Sequence, residues 1–206
     1  MITEFGLSRR ELFKRAGAAG AAIFAMPELS RVLHLRRELF AQTRTLTPPE
    51  KATLTAMCGR IIPTDATGPG AIEAHAPEYI DHTLSGALAG SRQAYGEGLA
   101  AIDVAAQQKF KAPFVKLTPA QQDAILTDVQ DTPFFNLVRG HTLQGTFCDP
   151  IYGGNANFVG WDLVGYPGVR LNVTAAEQNM STPATRTHKS AYDYLMFSRT
   201  ETMNGH

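Results

Sequence analysis

Thr47-Pro48-Pro49-Glu50-Lys51-Ala52-Thr53-Leu54-Thr55-Ala56-Met57-Cys58-Gly59-Arg60-Ile61-Ile62-Pro63 spells out one helix from start to stop. Threonine followed three residues later by glutamate is a capping box, in which each side chain satisfies a backbone N–H that the first helical turn leaves unpaired. Proline is tolerated in that turn because its missing N–H would have had no partner. Leu54, Met57, Cys58 and Ile61 then recur at helical spacing, and Pro63 ends the run.

The same signals recur downstream. Thr118-Pro119-Ala120-Gln121 precedes Ile125, Leu126 and Val129, and Thr132-Pro133 precedes Phe134, Val138 and His141. Before them, Pro77 opens a helix with Ile80, Leu84, Ala87 and Leu88 on one face, expected to run until Gly90. From Arg92 to Phe110 the residues Tyr95, Leu99, Ile102, Ala106 and Phe110 form an amphipathic stripe. Pro63 to Gly70 is turn chemistry and reads as a surface loop. No strand-length alternation appears before Gly145. The expected fold class is all-α, a single irregular helical domain with a long Gly/Pro/aromatic loop region toward the C-terminus. A length of 206 residues with 44% hydrophobic side chains suits one such domain.

After Gly145 the texture changes. Cys148-Asp149-Pro150-Ile151-Tyr152-Gly153-Gly154-Asn155 and Gly160-Trp161-Asp162-Leu163-Val164-Gly165-Tyr166-Pro167-Gly168 are rich in glycine, proline and aromatics and read as too irregular for a helix. Such a segment is either an ordered loop folded on its own domain or a binding surface. Tyr152, Phe158, Trp161 and Tyr166 are residue types that anchor protein interfaces. With Gly153, Gly154, Asn155, Pro167 and Gly168 they form the candidate partner interface. Beyond Gly168 the chain is polar until Tyr192-Asp193-Tyr194-Leu195-Met196-Phe197.

The N-terminus reads as an address. Ser8-Arg9-Arg10-Glu11-Leu12-Phe13-Lys14 has twin-arginine spacing, with Ser8, Arg9, Arg10, Phe13 and Lys14 as the targeting residues. The small, apolar run Ala16 to Met26 that follows is shorter than the roughly 20 residues a bilayer span needs. The pattern predicts export through the Tat translocase, which accepts folded cargo. The organisation expected is a signal over 1–26, a linker or amphipathic helix over 27–46, a helical domain over 47–168 and an extended tail over 169–206. An uncut signal would instead tether the protein to the membrane as a scaffold.

Charge is balanced, at 19 basic and 19 acidic side chains, so nothing in the total points to nucleic acid. The signal region is basic and the remainder faintly acidic. In an oxidising compartment Cys58 and Cys148 have three fates: a bridge to each other, a bridge to another subunit, or free thiols.

Two cysteines 90 positions apart cannot supply a Cys-x-x-Cys-His haem site or the four thiolates of an iron–sulfur cluster. Gly68-Pro69-Gly70 follows a helix rather than a strand and contains proline, so it is not a dinucleotide loop. There is no Gly-x-Ser-x-Gly elbow. His75, Asp81, His82 and His141 are the residues from which a metal-dependent enzyme would have to be built, although their spacing matches no known site. His141 reads better as a core or interface histidine. The reading from residues alone is a chain without catalytic, cofactor or metal residues of its own.

Arg60-Ile61-Ile62-Pro63-Thr64-Asp65 followed by Gly70-Ala71, the twin-arginine start, and above all the block Asp149 to Gly168 resemble the gluconate 2-dehydrogenase subunit 3 family. The resemblance implies a noncatalytic small subunit of a periplasmic, membrane-associated dehydrogenase complex acting on a sugar, sugar acid or polyol. It implies as partners a catalytic subunit of the glucose-methanol-choline oxidoreductase type carrying FAD and a multihaem cytochrome c subunit carrying haem c. It further implies that the small subunit lends its signal to the flavoprotein as export escort and stabiliser.

Overall fold

The computed structural model describes residues 45–175, 177–178 and 185–194. The twin-arginine stretch, the amphipathic run from Glu28 to Phe40 and the apolar triplet Leu195-Met196-Phe197 lie outside the described residues. Among those described, the α-helices are α1 (Pro48–Ile61), α2 (Ala76–Thr83), α3 (Arg92–Phe110), α4 (Pro119–Val129), α5 (Pro133–Phe147) and α6 (Val159–Leu163). They contain no strand, only an isolated antiparallel bridge between Asp65 and Gly68.

The capping signals close as the sequence predicts. The Glu50 N–H donates to Thr47 Oγ1 at 3.5 Å, and Glu50 Oε2 accepts the Thr47 N–H at 2.7 Å. Gln121 and Thr118 repeat the exchange at 3.4 and 3.0 Å, and Thr132 Oγ1 accepts the Phe135 N–H at 3.2 Å. Three helices thus have their first turns satisfied by residues adjacent in sequence.

Helix α1 is the centre of the packing and touches α2, α3, α4 and α5. Leu54 and Met57 from α1, Ile80 from α2, Tyr95 and Leu99 from α3, Ile125 from α4 and Val138 from α5 are fully buried against one another. Helix α2 lies tightly on α5, where a Cβ added to Gly145 would sit 2.9 Å from Ala76 Cα. Outside this apolar centre, Arg60 of α1 grips Asp123 of α4 with two bonds of 2.7 Å. Asp103 of α3 accepts from Thr53 and from the Phe114 N–H.

Two sequence expectations change. Helix α2 stops at Thr83 instead of running to Gly90: the Asp81 carbonyl, which the Ser85 N–H of a continuing helix would need, accepts from the Thr45 hydroxyl, and the Ser85 N–H and hydroxyl both turn to the His82 carbonyl, beginning a series of tight turns. Leu84 still reaches the core from the first turn residue. The segment after Gly145 does contain a helix, the five-residue α6, within the block read as wholly irregular. No helix among the described residues is long and apolar enough to cross a membrane.

Candidate functional site

Asn155 organises the block that follows α5. Its side chain is fully buried and uses both ends, Nδ2 donating to the Cys148 carbonyl at 2.9 Å and Oδ1 accepting the Gly160 N–H at 2.7 Å. Its own N–H donates to the Gly145 carbonyl at 2.7 Å, and the next N–H, of Ala156, reaches Ala74 at 3.1 Å. One side chain therefore ties the end of α5 to the start of α6. The ties need close backbone approach: a Cβ on Gly160 would stand 1.9 Å from the Thr146 carbonyl oxygen, and one on Gly154 2.1 Å from that of Gly145.

The chain bends sharply to achieve this. Asn155, Asn157 and Phe158 have positive φ of 46°, 54° and 63°. Asparagine tolerates that region, whereas for phenylalanine it is strained by about 1–3 kcal/mol. Phe158 is held there by Trp161, whose ring lies 5.3 Å away, and by His188, which stacks on it at 5.1 Å and 7°.

Residues 185–194 strap this block from outside. Asp162 Oδ1 accepts from Arg186 at 3.0 Å and faces His188 Nε2 at 2.8 Å. The Pro167 carbonyl accepts the Thr187 N–H and hydroxyl, the Lys189 carbonyl accepts the Val169 N–H, and the Tyr194 hydroxyl donates to Val169. Asp149 accepts the Ala191 N–H at 3.3 Å.

The residues of the predicted interface divide between an inner frame and an outer face. Trp161, only 6% exposed, donates its indole N–H to the Phe147 carbonyl at 3.0 Å and packs edge-on to Tyr166. Gly154, Asn155 and Gly168 are buried, while Phe158 and Pro167 are half-buried. Tyr152 and Tyr166 are exposed at 58% and 41%, as is Gly153. Sequence reasoning missed Val164, 62% exposed, and Phe147, which with Trp161 and Tyr166 line an open apolar depression. Phe147 carried no periodic or motif signal, and Val164 stood inside the quoted block without being one of its aromatics or glycines. Leu171, Val173 and Tyr192 add further exposed apolar surface beyond the block.

The other candidates serve elsewhere. Cys58 and Cys148 do not bridge each other within the chain. Cys58 is fully buried within 3.3 Å of Thr142 Oγ1, and burial pushes its pKa up to about 12. Burial also raises that of Cys148, to about 11. His141 sits in the core, its Nδ1 2.9 Å from the Tyr95 hydroxyl. Burial raises the tyrosine pKa and lowers the histidine pKa, so the bond joins a protonated hydroxyl to a neutral imidazole. Asp81 is buried against backbone amides, and His75 is an exposed residue at the start of α2. The His75, Asp81, His82 and His141 set is not brought together as a metal site, and no other such cluster occurs among the described residues.

A family model described as gluconate 2-dehydrogenase subunit 3 matches residues 48–168, from the first turn of α1 to the end of the glycine-rich block. The chain belongs to this family. Neither a curated protein nor a solved structure matches it. The matched span of the subunit 3 family takes in the whole helical core, the Asn155 frame and the depression, and it ends before the strap. Membership makes this an accessory chain of a gluconate 2-dehydrogenase assembly by the family's description.

Proposed function

We propose that the chain is the noncatalytic small subunit of a periplasmic, FAD-dependent dehydrogenase complex and that it docks on the catalytic flavoprotein through the face around Tyr152, Val164 and Tyr166. The observation that carries this reading is the depression of Phe147, Trp161, Val164 and Tyr166, exposed on a frame that Asn155 holds in place. A preorganised apolar hollow with aromatic walls is the form of an interface hot spot, because side chains fixed before binding lose little further entropy on it. Family membership supports an assembly partner.

The partner would be of the glucose-methanol-choline type, with a multihaem cytochrome c completing the electron path. The twin-arginine stretch extends the role to export. A flavin is inserted before the chain crosses the membrane, so a flavoprotein without its own signal needs a bound escort that the Tat translocase recognises. In this scheme Arg9 and Arg10 serve two chains, and the complex works at the periplasmic face of the inner membrane.

Purification of the tagged chain from its native membranes tests the docking. The flavoprotein, seen by its flavin absorbance, should accompany the native chain and be lost from a Val164→Asp, Tyr166→Asp double variant whose thermal midpoint is unchanged. Retention by the double variant removes the assigned face; absence from the native chain removes the reading. For export, replacing Arg9 and Arg10 by lysine should leave dehydrogenase activity in the cytoplasm, and normal periplasmic activity would contradict the escort role.

A further inference from the structure

Just before α1 the chain is fixed more firmly than a helix start requires. The Thr47–Glu50 capping box already satisfies the first turn. Two residues earlier, a separate set of bonds holds Thr45 and Leu46. Asp81 Oδ1 accepts both N–H groups at 2.9 Å, and the Thr45 hydroxyl donates to the Asp81 carbonyl at 3.0 Å. From the other side, Arg92 Nε donates to the Thr45 carbonyl at 3.2 Å.

The holding groups come from three helices. Asp81 belongs to α2 and is 2% exposed, and Lys51 of α1 faces its second oxygen at 3.6 Å. Arg92 opens α3 and is itself oriented by Glu50 of α1 through bonds of 2.9 and 2.8 Å. A buried carboxylate is costly unless its oxygens are satisfied, and here two backbone donors from the incoming chain supply part of that satisfaction. Leu46, 5% exposed, joins the core as a result.

We propose that Asp81 and Arg92 form a folding latch that pins Thr45 and Leu46, the end of the linker that leads from the N-terminal signal, only when α1, α2 and α3 are assembled. An open latch would release Thr45, Leu46 and the first turn of α1 as unfolded chain ahead of the body. The latch thus reports, at the end of the linker that leads from the signal, whether the body is assembled. The proposal rests on the export reading for its purpose, although the latch itself does not.

The test uses the full chain. Trypsin should cut after Arg44 about tenfold faster in Asp81→Asn than in the native chain, since cleavage follows the open population. Thr45→Ala deletes only the hydroxyl that donates to the Asp81 carbonyl, outside every helix, and serves where Asp81→Asn lowers the folded fraction, as read from the helical circular dichroism. The exported fraction should fall in the same variants. Unchanged cleavage after Arg44 in a folded Thr45→Ala chain refutes the latch, and faster cleavage with normal export refutes its coupling to export. If the Arg9, Arg10 lysine variant is exported normally, the export reading fails alone, and the protease result still decides whether the latch exists.

Discussion

At the scale of single residues, Asn155 carries more of the site than any aromatic around it. Truncation to alanine removes both side-chain bonds and leaves the Cys148 carbonyl and the Gly160 N–H without partners in the interior. It also places alanine at a φ of 46°, where asparagine is better tolerated. Loss of two buried bonds with their partners stranded costs about 3 kcal/mol. Urea unfolding should show that deficit, and a loss below about 1 kcal/mol would mean that the frame holds without this side chain. Asn155→Asp should do little better, because it keeps the acceptor for Gly160 but turns the donor toward Cys148 into a second acceptor. The aromatics above the frame should lose their order with it, so Trp161, the sole tryptophan, should shift its emission to the red in the alanine variant.

At the scale of elements, what the sequence reveals depends on how local the signal is. Helices α1, α4 and α5 are announced by threonine, proline and an acceptor or apolar residue within a few positions, and each starts where those signals place it. The end of α2 is less legible, since the carbonyl that a continuing helix would have used, that of Asp81, accepts from Thr45, 36 residues away in sequence. Helix α6 is hidden because five residues containing Gly160 have no propensity to be helical alone; it exists through the Asn155 bond and the packing of Trp161. The inward turn of Trp161 belongs to one of the two readings open for the block, a loop folded on its own domain, and the sequence does not choose between them, as nothing adjacent shows that the Phe147 carbonyl waits for its N–H. The capping argument can be measured at Thr118, which is exposed and joined to no other network. Thr118→Ala should cost about 1 kcal/mol and Thr118→Ser much less. Equal losses in the two would show that the methyl group, not the cap, is responsible.

At the scale of the molecule, the contacts between distant segments were the illegible ones: the strap on the glycine-rich block, the Thr45–Asp81 latch and the Tyr95–His141 pair. The last of these gives the whole protein a pH dependence. Burial lowers the pKa of His141 below its ordinary 6.5, and it does the same to His82 against the opposing pull of Asp81. The unfolded chain then binds protons that the folded chain refuses, so stability is complete above the unfolded value and declines as pH falls through it toward the folded values. Glu50 acts lower on the scale. Burial raises its pKa, but bonds from Thr47 and Arg92 outweigh that and leave it below 4.5, so its contribution is present above that value and fades with further acid. Acid should therefore weaken the fold in two stages, histidine first and carboxylate second. Urea midpoints measured from about pH 8 to about pH 3 should show both declines, and His141→Gln should flatten the upper one while leaving the lower in place. Should the upper decline persist at full size in that variant, the buried imidazole is not its source, and His82 becomes the next candidate among the described residues.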